Sequence, residues 1–265
     1  MNLIAPRIVC VGTHHKTGTV WMRRVFRRLA EALGVATHVV YRNTDPGILP
    51  PRDRVILFSW SSAFPDWLLD RPDARILHLI RDPRDVLLSG MRYHRRASAE
   101  AEPDLHVARD DLDGRSYQQH LEHLPDDDAR LSFEMGEHHA RTLKEMCDWS
   151  YDRANTVEAR YETLMRDTGG TAFRDHLRDL GLPEPEVETG AGIFWRHSLF
   201  GGLAETTRRD PALAGHVADG RVAQWRKALP SAIATRYAER HGNQLVSLGY
   251  ENHPTAWLEE VRHAA

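Results

Sequence analysis

The stretch Arg7-Ile8-Val9-Cys10-Val11-Gly12, continued by Thr13-His14-His15-Lys16-Thr17-Gly18 and then by Thr19-Val20-Trp21-Met22, decides the fold. Its first six residues are a short apolar run ending in glycine, the pattern of a strand buried on both faces of a parallel sheet. Beyond Gly18 the periodicity changes. Apolar side chains at Val20, Trp21, Val25, Leu29, Ala32 and Leu33 fall at helical spacing, and Gly34 supplies a C-terminal stop signal. The opening unit is therefore strand, loop, helix.

The same alternation continues downstream. Residues 54–58 (RVILF) and 75–80 (RILHLI) read as strands, a short helix falls within 61–69, and 83–92 (PRDVLLSGMR) reads as a helix with proline in its first turn. Residues 133–151 predict a helix, 156–161 (TVEARY) a strand, 171–181 a helix, and 230–248 a closing helix. Strands alternating with helices imply an α/β fold with a central parallel sheet flanked by helices, as one domain over residues 1–265. Residues 95–128 are acidic and rich in alanine and histidine, with little periodicity; they read as a surface excursion, a lid over a substrate site at about 95–135. Residues 183–220 read as loop-rich.

Composition removes several classes of function. The 265 residues carry a formal net charge of -3, without the basic excess of a general nucleic-acid binder. No apolar run approaches the ~20 residues of a membrane-spanning helix, and the start MNLIAPRIVCVG lacks the form of a signal peptide. Two cysteines, Cys10 and Cys147, suit a reducing compartment, so a cytoplasmic protein without membrane insertion is expected. Lysine occurs only at Lys16, Lys144 and Lys227, all other strong cations being arginine, a skew expected of a GC-rich bacterial genome. Lysine inside a glycine-containing loop then hints at a need that guanidinium does not meet.

A loop between a buried strand and a helix aims successive backbone N–H groups and the positive helix end at one spot, which binds anions. Gly18 permits close backbone approach, Thr17 and Thr19 offer hydroxyls, and Lys16 supplies a mobile ammonium. The ATP-binding pattern places lysine directly after the last glycine, whereas here Lys16 precedes Gly18 by two. The segment resembles instead the 5'-phosphosulfate loop, K-x-G-T-x-W, of the cytosolic-type sulfotransferases. Lys16, Gly18, Thr19 and Trp21 match it, and Val20 stands where a second threonine is common. The family's donor is 3'-phosphoadenosine 5'-phosphosulfate (PAPS), its product adenosine 3',5'-bisphosphate (PAP), and its fold P-loop-like.

Four further blocks are similar to that family. Arg81-Asp82-Pro83-Arg84-Asp85 with Ser89 fits the 3'-phosphate element R-[ND]-P-x-D-x-x-x-S; the resemblance implies that Arg81 and Ser89 grip the 3'-phosphate, while Asp82 and Asp85 order the turn. Tyr161-Glu162-Thr163-Leu164 fits an adenine-binding Y-E-x-L element, and His197-Ser198-Leu199-Phe200 fits an H-[ST]-x-F element of the adenine pocket. Near the C-terminus Gly220 and Trp225 align with R-K-G-x-x-G-x-W, but Ala218 and Asp219 replace the Arg-Lys pair, leaving Arg221 to supply the cation. The resemblance thus implies Lys16 as the catalytic group, with His15, Lys16, Thr17, Gly18, Thr19, Val20, Trp21, Arg81, Ser89, Tyr161, Ser198, Phe200, Gly220 and Arg221 around the nucleotide.

The implied reaction moves a sulfuryl group in line to a hydroxyl or amine of a small-molecule acceptor, with no metal. Lys16 would carry charge on the leaving oxygen. The family's K-T-H histidine has no counterpart in Phe58-Ser59-Trp60-Ser61-Ser62, so the acceptor's base stays open among His94, Asp45, Glu134, His14 and His15. The pairs His14-His15 and His138-His139 lack the carboxylate pattern of a metal site. A homodimer stays open as the assembly. A nucleotide-dependent kinase and a non-catalytic nucleotide-binding protein are the alternatives.

Overall fold

In the computed structural model, which describes residues 6–202 and 221–262, Ile8–Gly12 forms the middle strand (β1) of a five-stranded, all-parallel sheet. Beside it lie Val55–Ser59 (β3) and Ala74–Ile80 (β4); Ala36–Val39 (β2) pairs outside β3, and Thr156–Arg160 (β5) outside β4. The chain builds β2 and β3 on one side of β1 and then crosses to the other side for β4 and β5. The carboxyl end of β1 therefore lies at the point where the strand order reverses, where open α/β sheets form their ligand crevices.

Every residue of β1 and β3 is buried, which is why both read as uninterrupted apolar runs. One face of the sheet packs Ile8, Cys10, Val55, Leu57 and Ile76 against Phe64 and Leu68. On the other, Val9 and Ile56 line a small cavity together with Phe26 and Leu29 of Thr19–Leu33 (α1). The buried stripe of α1 is Met22, Val25, Phe26, Leu29 and Ala30, whereas Ala32 is exposed. Gly34 ends the helix at φ 64, its N–H reaching the carbonyls of Ala30 and Glu31, as the C-cap signal implies. β2 has no such signature because it is an edge strand with half-exposed residues.

The chain gathers into two compact units. Met1–Arg81 with Asp148–Ala214 forms one, and Asp82–Cys147 with Gly215–Ala265 the other. The first holds the sheet, α1, Asp66–Leu69 (α2), Tyr161–Arg166 (α7), Thr171–Asp179 (α8) and Glu184–Arg196 (α9). The second holds Pro83–His94 (α3), Tyr117–His123 (α4), Asp127–Glu134 (α5), His138–Cys147 (α6), Trp225–Ala228 (α10), Ser231–Ser247 (α11) and Leu258–Arg262 (α12). Among the described residues no helix is long and apolar enough to cross a membrane.

Several sequence expectations are corrected. Residues 95–128 are more ordered than their weak periodicity implied: they hold α4, two short 3-10 turns and the start of α5, and Ala97, Leu105, Tyr117 and Leu121 form a small core. Ser116 opens α4 with a capping box to Gln119. The segment expected to be loop-rich contains the 13-residue α9, which buries Val187, Gly190, Ile193 and Phe194. The helix expected over 133–151 is split between α5 and α6, and the one expected within 61–69 shrinks to α2. Tyr161 does not end β5 but begins α7. The stretch 203–220, with Gly220, lies outside the described residues.

The second unit contains a buried histidine pair. His139 Nε2 lies 2.9 Å from the Tyr237 hydroxyl, and the ring of His241 packs beside it. Burial, then the nearby His241, pushes His139 down to about 3. Below its ordinary value near 6.5 the unfolded chain therefore binds a proton that the folded one refuses, and stability falls as pH drops through that window. Melting curves should show the gap between wild type and His139→Gln closing or reversing as pH falls from about 6.5 to about 4; a gap independent of pH would contradict this.

Candidate functional site

The loop after β1 winds around one carbonyl. His14 C=O accepts from Thr17 N at 3.1 Å, from Thr17 Oγ1 at 2.9 Å and from Thr19 Oγ1 at 2.9 Å. Thr17 Oγ1 also accepts from His14 N at 2.9 Å. Thr13 Oγ1 is 2.9 Å from Thr19 Oγ1, and since the Thr19 proton goes to His14, Thr13 donates. The hydroxyls of Thr17 and Thr19, expected to donate to an anion, are thus engaged within the loop, and Thr17 is fully buried.

This winding forces unusual backbone. Lys16 sits at φ 62 and Gly18 at φ 112, both in the left-handed region. For a lysine such a conformation costs about 1–3 kcal/mol and persists only where the surroundings over-determine it. Gly18 is required twice over: a Cβ there would lie 3.1 Å from Tyr161 Cδ2 and 3.2 Å from Leu79 Cδ2. Gly18 is also the N-cap of α1 and offers no side-chain cap. Met22 N is the first to bond inside the helix, to Gly18 O at 3.0 Å, so the amides of Thr19, Val20 and Trp21 head the positive end of α1.

Arg81, at the end of β4, closes the other side. Its Nη1 donates to Lys16 O at 3.2 Å, and its guanidinium lies over the Tyr161 ring at 4.3 Å. Trp21, half-buried, meets Tyr161 edge-on at 6.0 Å and stacks on Phe194 at 5.1 Å. The Trp21 indole nitrogen is buried and makes no hydrogen bond in the structure. Phe194 also contacts Phe200, at 5.9 Å, while the Ser198 hydroxyl is buried and donates to Phe194 O at 2.6 Å. Ser198 therefore braces the end of α9 instead of offering its hydroxyl outward. Lys16, Gly18, Trp21, Arg81, Tyr161 and Phe200 are thus brought together, with Phe194 as an unforeseen member of the aromatic group. His15, on the loop, and Val20, in the first turn of α1, are half-exposed.

In the second unit, Ser89 is half-buried on α3 and Arg221 is exposed. Asp82 caps α3 by accepting from Arg84 N at 3.0 Å, as expected. Asp85 accepts the Trp225 N–H at 3.0 Å, and Trp225 is a core residue stacked under Arg84 at 3.6 Å. Among the candidate bases, Asp45 caps a short turn by accepting from Gly47 N. His94 is buried with its Nδ1 2.9 Å from Glu134, which also accepts from Tyr117 Oη at 3.0 Å.

His14 is buried as well, and its partner was not anticipated. His14 Nε2 lies 2.9 Å from His78 Nε2, and His78 Nδ1 lies 2.7 Å from Glu158 Oε2. A lone histidine inside the apolar strand RILHLI was the available signal. Its meaning depends on the β1–β4–β5 register, which is not written locally. Among the described residues no group of three or more histidines, cysteines or carboxylates is arranged to hold a metal.

Gly18→Ala adds a methyl against Tyr161 and Leu79 and strains φ. It is expected to destabilise by about 1–3 kcal/mol and to displace Tyr161. A melting temperature equal to wild type would contradict the close approach at Gly18.

No protein-family model matches the chain, and no curated protein matches it. Among solved structures it is similar to the mouse sulfotransferase SULT7A1 complexed with PAP, at 15% identity over 90% of this chain and 84% of that one, with a TM-score of 0.53. It is also similar to retinol dehydratase in a complex with retinol and PAP, at 14% identity over 91% of this chain and 82% of that one, with a TM-score of 0.54. The chain has the fold of these proteins, an all-parallel five-stranded sheet flanked by helices.

Proposed function

We propose that this protein is a PAPS-dependent sulfotransferase of the cytoplasm, acting on a hydroxyl or amine of a small molecule. The observation that carries the reading is the Lys16 loop itself. A lysine is held in left-handed backbone at an uncapped helix N-terminus, with Arg81 bonded to its carbonyl. That two structures of the same fold hold PAP supports the choice of nucleotide.

PAPS supplies an activated sulfuryl group whose leaving oxygen gains negative charge. In this reading the amides heading α1 and the Lys16 ammonium stabilise that charge. The His14-centred hydrogen bonds keep them in place, so that nothing need reorganise during transfer. Thr17 and Thr19 act as braces of the loop, and Trp21, Tyr161, Phe194 and Phe200 offer aromatic surface for the purine. Arg81 supports the loop and is the proposed 3'-phosphate cation. For Ser89 and Arg221 the 3'-phosphate role rests on the motif alone. A kinase reading fares worse, because the position after Gly18 is Thr19 and not the lysine that magnesium-ATP loops require.

PAP should raise the melting temperature, by an amount equivalent to about 2.7 kcal/mol at a hundredfold excess over Kd, while ATP with magnesium should not. Stabilisation by ATP alone would overturn the proposal. Lys16→Ala should lower transfer of labelled sulfate by at least about a hundredfold with PAP binding largely kept. Unchanged turnover would remove Lys16 from the mechanism.

A further inference from the structure

Behind the Lys16 loop lies a row of ionisable side chains that the proposed reaction does not use. The strand register pairs Gly12 with His78 and His78 with Glu158, so β1, β4 and β5 present these three residues side by side. Gly12 has no side chain, and His14, two residues on, extends to His78 instead. On the far side, Glu158 Oε2 meets His78 Nδ1, and Glu158 Oε1 accepts the Trp149 indole N–H at 2.9 Å. Trp149 also stacks on the His78 ring at 4.3 Å, and Tyr151 meets it edge-on at 5.6 Å. Both histidines are fully buried, while the Glu158 side chain keeps 31% of its surface in solvent.

The contact between two Nε2 atoms admits one proton, so one ring donates and the other accepts. Glu158 decides which. An ionised carboxylate only accepts; His78 then carries its proton on Nδ1, offers a lone pair at Nε2, and receives the Nε2–H of His14. A protonated Glu158 donates to His78 Nδ1; His78 then carries its proton on Nε2, and His14 accepts there and carries its own proton on Nδ1. Both rings are neutral in both states, and the net change is one proton taken up from water.

We propose that Glu158 and His78 are positioning residues that set the hydrogen-bond polarity of His14, so that protonation of Glu158 turns His14 Nδ1 from acceptor into donor two residues before Lys16. Its effect on ligand binding rests on the function proposed above; the switch itself does not. Burial pushes Glu158 up to about 7, against the opposing pull of the Trp149 hydrogen bond and of Arg160, which faces it from β5. Burial pushes His78 down to about 3, so near neutrality the carboxyl takes the proton and the imidazole does not. Arg160 on β5, Trp149 and Tyr151 ahead of β5, and His14 face the row, and Arg75 of β4 with His176 and Asp179 of α8 share a pocket with Glu158.

The test is long-range proton–nitrogen NMR on protein labelled with 15N-histidine, titrated from about pH 5 to about pH 9. His14→Gln and His78→Gln assign the two rings. In wild type, His14 should pass from the Nδ1–H to the Nε2–H tautomer as pH rises through about 7, with the His78 ring staying neutral. In Glu158→Gln the donor-only indole of Trp149 claims the amide oxygen, leaving the amide NH2 to donate to His78. That variant should hold the acid-state tautomers at every pH. A His14 tautomer that stays constant in wild type, or a titration that survives in Glu158→Gln, would overturn the proposal. If the variant fails to fold, the wild-type titration decides alone. No nucleotide is present, so the outcome is independent of whether PAP binds.

Discussion

Three donors converge on the carbonyl of His14: the Thr17 amide, the Thr17 hydroxyl and the Thr19 hydroxyl. The donors lie only three and five residues further on, so gathering them on one oxygen winds the chain tightly, and within that winding Lys16 and Gly18 take left-handed backbone. That winding shapes the rest of the site. It ends β1 at the reversal point of the sheet, starts α1 without a side-chain cap, and turns the Lys16 carbonyl to Arg81. Strain of about 1–3 kcal/mol at a lysine is tolerated because both strand neighbours of β1 hold the loop: Ser59 O accepts Thr13 N, and His78, on β4, holds the His14 ring.

The loop also explains the glycines and aromatics near it. Gly18 lets Tyr161 approach, Tyr161 lies under Arg81, and Trp21 stacks on Phe194. Rigid surroundings of this kind suit a site that must stabilise developing charge without rearranging. The buried row from His14 to Glu158 adds a route by which a solvent-facing carboxyl is felt at the loop.

The parallel sheet was legible because β1, β3 and β4 are buried apolar runs, and α1 because glycine bounds it at both ends. The edge strand β2 was not, since one-sided exposure dilutes its pattern. α9 was missed because Pro185, Gly190 and Gly192 read locally as breakers, although the proline occupies the first turn and Gly190 makes room for Leu177. Lys16, Gly18, Trp21, Arg81 and Tyr161 could be picked out as motif residues. Their companions His78, Glu158 and Phe194 could not, because each is defined by what a distant element places beside it. The hydroxyls of Thr17 and Thr19 look like ligand donors in sequence, and only the fold reveals that His14 claims them.

The most direct test of the central claim is a backbone amide NMR titration with PAP. If the Lys16 loop is the nucleotide's anion site, the largest saturating shifts should fall on residues 16–21 and on Arg81, with smaller ones at Tyr161 and Phe194. Shifts that leave residues 16–21 unmoved while PAP binds elsewhere, or no shifts at all, would contradict it.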